Sequence, residues 1–259
     1  MNNDDIKKKY NAKIKEIKLH NKLYFDKNNP KISDAAYDLL KNEIIKLENK
    51  YPFLENKYSP TNIVGFKPSK NFSKFSHRVK MLSLSNVFSK EDLTNFEKKI
   101  FNYLNLDKKK KIEYSVEPKI DGISASLTYK NGVLISGVSR GDGEEGELIT
   151  ENLKTIKDIP HVISSKDFPD DIDIRGEVFI LNSDFEKIKG NFANPRNAAS
   201  GSLRQKNPDE TKKIPLKFIA YSFGFFNKNT FLKQSDFIRS LKNWGFKISK
   251  YNKIISGTD

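Results

Sequence analysis

The 259-residue chain contains no cysteine and three scattered histidines. That excludes disulfides and thiolate zinc sites within it and leaves no dense histidine cluster for a metal. Any metal it uses has to be a hard cation on oxygen ligands, and no zinc site is expected. No apolar run approaches the roughly 20 residues that cross a bilayer. The N-terminal MNNDDIKKKY lacks the apolar segment and small-residue cleavage site of a secretory signal, so a cytoplasmic location with no membrane partner is expected. Acidic side chains are outnumbered, 33 against 47 Lys and Arg, for a net charge of +14. Such an excess fits a polyanionic partner, because basic groups release the counterions condensed on nucleic acid. The joint richness in Lys, Asn, Ile and Phe also follows from AT-rich codon usage, and charge alone does not separate the two.

What is present is ordered by period. Ile6, Tyr10, Ile14, Ile17 and Tyr24 keep to one face of a first helix, which Asn28-Asn29-Pro30 ends. Ser33 offers an N-cap and Asp34 a first-turn charge to a second helix, with Tyr37, Leu40, Ile44, Leu47 and Tyr51 on its stripe. Pro52 closes it. A connector rich in Ser, Pro, Gly and Lys runs from Tyr58 to Lys80 and leads into MLSLSNVF. Ser89 with Asp92 then resembles a capping box for a helix whose stripe is Leu93, Phe96, Ile100 and Tyr103. Beyond Lys111 the pattern shortens: strands are expected at 112–117, 123–129, 133–139, 172–181 and 215–226, and helices at 183–189 and 234–243. Asn131-Gly132 is a type I′ hairpin signal. The expectation is an α+β chain, with a helical subdomain at 1–65 and a domain of antiparallel sheets and helices at 66–259.

Chemistry concentrates in EPKIDG, Glu117 to Gly122. Extended backbone from Val116 to Ile123 would put Glu117, Lys119 and Asp121 on one face, three charges that do nothing for packing. An exposed edge strand explains the same alternation. A lysine nucleophile needs its amine unprotonated, which burial or cationic neighbours bring about. SRGDGEEGE supplies Arg140 followed by a glycine-rich turn that would let backbone approach a phosphate. DIRGEVFI sets Glu177 in an otherwise apolar strand, awkward for a core but suited to a ribose hydroxyl or magnesium. NPRNAASGSLRQ carries Arg196 and Arg204 among small residues, either forked donors for phosphate or a tightly packed helix with solvated arginines.

Lys119-Ile-Asp-Gly122 resembles the KxDG nucleotidyl-acceptor motif of the covalent nucleotidyltransferases. The wider set is similar to bacterial NAD-dependent DNA ligases: YFDKNNPKISDAAYD, SPTNIVG, MLSLSNVF, EPKIDG, SRGDG, RGEVF and FANPRNAASGSLRQ, in the family's order along nearly the whole chain. The resemblance implies that Lys119 attacks the α-phosphorus of NAD, expels nicotinamide mononucleotide (NMN) and carries AMP. The adenylate then passes to the 5′-phosphate of a nick in double-stranded DNA, and a 3′-hydroxyl displaces AMP, as replication and repair require. By resemblance Glu117 reads the adenine amine, and Ser83 and Leu84 border the adenosine. Asp121, Arg140 and Glu177 surround lysine and ribose, with Arg196 and Arg204 toward phosphate. Tyr24, Asp34, Tyr37 and Asp38 would hold NMN, and Phe25 departs from the family's usual His or Tyr. Magnesium or manganese is implied, with Glu177 a candidate ligand.

The family's later features, a further lysine-bearing strand, an OB-fold, a four-cysteine zinc module, a helix-hairpin-helix region and a BRCT domain, have no counterpart after Trp244. The 185–192 stretch is also short for the family. A fragment is therefore expected, one that depends for self-adenylylation on the missing C-terminal part, either lost to truncation or separately encoded. Two alternatives stand beside it: a non-catalytic remnant that binds NAD or nucleic acid, and an ATP-using relative such as an RNA ligase, against which the first 60 residues argue.

Overall fold

A computed structural model describes residues 3–23, 31–54, 59–61, 72–107, 110–188, 190, 192–228 and 230–257, the side chain of Asp34 excepted. The first helices form the expected hairpin, α1 (Asn3–Asn21) and α2 (Asp34–Lys50). The Ala36 N–H donates to Ser33 Oγ at 3.2 Å, satisfying one of the donors a helix start leaves open. Spacings of three and four bring Ile6, Tyr10 and Ile17 against Leu40 and Ile44, with Leu54 closing the cluster. Full burial of each such aliphatic side chain stabilises by about 1.5–3 kcal/mol. Glu48 then ties the following segment down: Tyr10 donates to one carboxylate oxygen at 2.7 Å and Thr61 to the other at 2.9 Å.

The larger part is built on an antiparallel four-stranded sheet. Its strands are β3 (Ile123–Lys130), β4 (Val133–Ser139), β6 (Asp171–Phe179) and β7 (Lys217–Phe226), in the order β4-β3-β6-β7. Asn131 and Gly132 take φ of 49° and 76°, the left-handed pair that a type I′ turn requires. Alternation then decides the two faces. Ala125, Leu127 and Tyr129 of β3 and Ile172, Ile174 and Val178 of β6 point into the core. There they meet α4 (Thr150–Lys154), α6 (Pro195–Leu203) and α8 (Gln234–Asn243). Tyr129, Phe168, Phe231, Phe237, Trp244 and Phe246 fill one end, mostly edge to face, with ring centroids 4.9–6.2 Å apart.

The opposite face carries Ser124, Ser126 and Thr128 paired in register with Glu177, Arg175 and Asp173. Glu177 therefore stands in a polar row, not in the middle of an apolar strand. Residues 77–81 lie across this row as a strap. Arg78 Nε donates to Asp173 at 3.1 Å and Nη1 to Asp171 at 2.6 Å, while its guanidinium sits 4.2 Å from the Phe225 ring centroid. Arg175 donates to the carbonyls of Val79 and Lys80.

Two short ribbons complete the fold: β1 (Lys74–Ser76) with β5 (Glu145–Glu147), and β2 (Glu113–Val116) with β8 (Lys253–Ser256). Ahead of β2, α3 (Lys90–Tyr103) starts in the expected capping box. The Asp92 N–H donates to Ser89 Oγ at 3.0 Å and the Ser89 N–H to Asp92 Oδ2 at 3.1 Å. Its apolar stripe is left largely uncovered: no residue of α3 is buried, and Phe96 and Tyr103 are 46% and 89% exposed. Amphipathic period fixes which face a helix would bury, not whether anything covers it. The helix expected at 183–189 is a single turn, α5 (Asn182–Phe185), and α7 (Pro208–Lys212) is a further short turn. Among the described residues no helix is long and apolar enough to cross a membrane.

Candidate active site

A cleft of roughly 1000 Å³ opens between α2 and the polar face of the sheet. EPKIDG forms its floor, but not as the continuous strand expected. β2 ends at Val116 and β3 begins at Ile123, so residues 117–122 are an irregular link between two different sheets. Glu117 and Lys119 line the cleft, whereas Asp121 turns to Arg196, whose Nη1 donates to it at 3.1 Å. The motif's glycine has a steric cause: a Cβ on Gly122 would lie 2.2 Å from the Val178 carbonyl oxygen and 2.9 Å from Glu177 Cγ. Only a residue without a side chain lets this link enter the sheet beside β6.

Glu177 is the buried acid of the site. Ser124 Oγ, its neighbour in register, donates to Oε2 at 2.8 Å. Burial raises its pKa above the ordinary carboxylate value, against the pull of Ser124 and of Arg196, Arg140 and Lys119. These three cations thus surround one carboxylate, and all line the cleft.

Arg140 leaves the end of β4, its N–H bonded to the Ser124 carbonyl at 3.1 Å. The glycine turn after it is not a phosphate cradle. Its amides are used at home: Gly143 N–H donates to the Arg140 carbonyl, Asp142 N–H to Glu145, and Asp142 Oδ1 accepts from Glu144 and Glu145. Gly141, at φ 58°, turns where a Cβ would meet the Glu145 carbonyl oxygen at 1.8 Å. The turn instead holds the strap, with His77 N–H on the Glu144 carbonyl and Met81 N–H on Gly143.

FANPRNAASGSLRQ becomes α6, a small-residue helix packed into the core, with Asn194 as N-cap and Pro195 in the first turn. Its first turn aims Arg196 at the cleft. Arg204, at its end, is outside the cleft lining. Its Nε donates to the buried Glu147 at 2.7 Å and Nη1 to Ser200 at 3.2 Å, because a carboxylate at 1% side-chain exposure needs a cation.

The hairpin contributes Tyr37 and Asp38, both in the lining, and the Tyr37 hydroxyl donates to Asn21 at 2.7 Å. Burial, and then the Asp38 charge, push its pKa up. Tyr24 and Phe25 lie outside the described residues, as does the side chain of Asp34. Ser83 and Leu84 line the cleft and are exposed.

Tyr221, Lys41 and Gln234 are among the lining residues that escaped the sequence reading. Tyr221 comes from β7, where pairing slips between Arg175 and Gly176 and presents both Tyr221 and Ser222 to the cleft. Burial, and then Glu177, raise its pKa. The alternation of KFIAYSFGFF could have flagged an aromatic on the polar face. Lys41, one helical turn after Tyr37 and Asp38, also faces the cleft. Burial lowers its pKa and Arg140 lowers it further, against the pull of Asp38. Gln234 begins α8 and reaches Glu117.

The family model described as "NAD-dependent DNA ligase adenylation domain" matches residues 69–259, and "DNA ligase-like, N-terminal NAD+-binding domain" matches residues 3–65. The chain belongs to the NAD-dependent DNA ligases. Among its relatives, the DNA ligase of Pelagibacter ubique is 61% identical over 257 residues, covering 99% of this chain and 38% of that protein. The DNA ligases of Parvibaculum lavamentivorans and Rickettsia bellii are 44% and 41% identical, covering 90% and 100% of the chain and 34% and 38% of their own lengths. This ligase chain therefore spans little more than a third of the relatives it matches. The α+β fold, a helical hairpin followed by the adenylation domain, is that of the family regions matched.

Proposed function

We propose that this cleft is an adenylation site in which Lys119 Nζ attacks the α-phosphorus of NAD. A phosphorus–nitrogen bond forms, the phosphorus–oxygen bond to NMN breaks, and NMN leaves as the phosphate monoester. The observation that carries the reading is one cleft lined by Lys119, Arg140, Glu177 and Arg196 from the sheet side and Tyr37 and Asp38 from the hairpin. Arg140 and Arg196 supply positive charge where the phosphates would lie. Glu177, held by Ser124, suits a ribose hydroxyl, and Tyr221 offers an aromatic face to the base. Tyr37 and Asp38 would meet the nicotinamide ribose, with Tyr24 and Asp34 assigned to the same end on the family resemblance. Ser83 and Leu84 would border the adenosine, and Asp121 would act through Arg196.

For magnesium the fit is limited. Among the described residues no three acidic or histidine side chains gather. Glu177 is committed to Ser124 and ringed by cations, so an ion would ride on the dinucleotide's phosphates and water. Transfer of AMP to a nicked-DNA 5′-phosphate and sealing of the strand, in the service of replication and repair, belong to the whole ligase. The further segments of the longer relatives would be its partner in those steps, with the cytoplasm as the setting.

The test is labelling. With magnesium and NAD radiolabelled in its adenylate, the chain should gain a covalent label that survives denaturing gels, and Lys119→Ala should abolish it. If no label appears even after the remaining ligase segments are added, the site is a non-catalytic remnant. Label from ATP but not NAD would remove the hairpin's role.

A further inference from the structure

We propose that Gln234 is a positioning residue that fixes the orientation of the Glu117 carboxylate and so sets the preference for a base bearing an exocyclic amine. This rests on the adenylation reading above and deepens it.

Glu117 lies in the irregular link between β2 and β3, where no ladder holds it. Its anchor comes from 117 residues downstream. Gln234 Nε2 donates to the Tyr221 carbonyl at 2.7 Å and to Glu117 Oε1 at 3.1 Å. Both partners are pure acceptors, so the amide can be oriented only one way. Ser115 Oγ adds a longer bond to the same Oε1, at 3.3 Å. Oε2, which takes no hydrogen bond among the described residues, is left as an acceptor in the cleft.

Gln234 is itself fixed. It opens α8, which is nailed to the core by Phe237 and Leu241, both fully buried, and its second partner is main chain of β7. A carboxylate with one oxygen committed can accept from the 6-amino group of adenine and offers nothing to the 6-oxo group of hypoxanthine. Without Gln234 only the longer Ser115 bond holds Oε1, and the carboxylate turns more readily toward water.

The experiment compares the affinity of the full chain for NAD and for nicotinamide hypoxanthine dinucleotide by calorimetry. The unsubstituted chain should prefer NAD by about tenfold or more, the effect of one hydrogen bond to a charged group. Gln234→Ala should lose most of that preference by weakening NAD alone. Gln234→Glu, equal in size but setting carboxylate against carboxylate, should lose it as well. Equal weakening of both dinucleotides in Gln234→Ala, or a preference retained in Gln234→Glu, would overturn the proposal. A ligand-free arm stands apart: the Gln234 side-chain amide resonances should move in Glu117→Ala, and unmoved resonances would also overturn it. If the unsubstituted chain binds no NAD, the adenylation reading fails in this chain, while the resonance arm still decides whether Gln234 holds Glu117.

Discussion

The two sheets that meet at Lys119 are held in opposite ways. The β4-β3-β6-β7 sheet has helices on one face and the 77–81 strap on the other, and few residues of its strands are exposed. The β2–β8 ribbon and neighbouring α3 contain no buried residue; Val116, Ile254 and Ile255 are exposed along with Phe96 and Tyr103. Apolar pattern is present in both, but burial in only one. The lysine is strung between a rigid support and a bare one, so the structure divides into a half whose energetics are set within the chain and a half whose apolar stripe has no described partner.

The sharpest way to break that contrast is a core truncation. Ile174→Ala on β6 should cost about 2–5 kcal/mol in urea unfolding, the range for a buried aliphatic that leaves a cavity. A cost below 1 kcal/mol would mean that the sheet is not the supported half. Next comes Arg204→Ala, which strips a cation from the buried Glu147. Since Arg204 is about a third exposed, a loss of about 1–3 kcal/mol is expected, with NAD affinity changed less than twofold. An affinity loss without a stability loss would move Arg204 into the cleft.

Glu177→Gln should have a smaller, pH-dependent effect. Because burial holds the folded carboxyl above its ordinary value, the folded chain binds the proton more tightly than the unfolded one. Its penalty is absent below the ordinary pKa near 4.5 and grows as pH rises to the raised value. Gln should therefore gain stability over the parent at neutral pH and not at pH 3. An equal difference at both would show that the buried charge is not the cause. Least of all, Phe96→Ser on α3 should change stability by under about 0.5 kcal/mol while reducing light scattering at high concentration. A loss above 1.5 kcal/mol would show α3 to be packed after all.

Local pattern made most elements readable. The stripes of α1 and α2, the Ser89–Asp92 box and the Asn131-Gly132 turn are short-range chemistry, and each lies where periodicity or capping puts it. The floor of the site was legible too, since Lys119, Arg140, Glu177 and Arg196 sit in dense motifs. What could not be read was the partner of each charge. Arg204 looks like a phosphate ligand until Glu147, 57 residues away, is seen to hold it. The glycine turn looks like a cradle until its amides are traced back onto itself. Gln234 reaches the cleft through long-range packing, which a one-dimensional pattern does not encode, whereas strand alternation and the helical turn after Tyr37 could have flagged Tyr221 and Lys41.

The strap bears on how the chain is made. His77 rests on carbonyls 62 and 63 residues downstream, and Arg78 on acids 93 and 95 downstream. At elongation rates of about 5–20 residues per second the strap would wait roughly 3–20 s for the ribosome to deliver those partners. The helical hairpin can close long before that, so one wall of the cleft is finished while the other is still a loose thread. A pause in translation ahead of Asp171 would prolong that interval, when the unoccupied guanidinium of Arg78 is open to whatever acidic surface comes first.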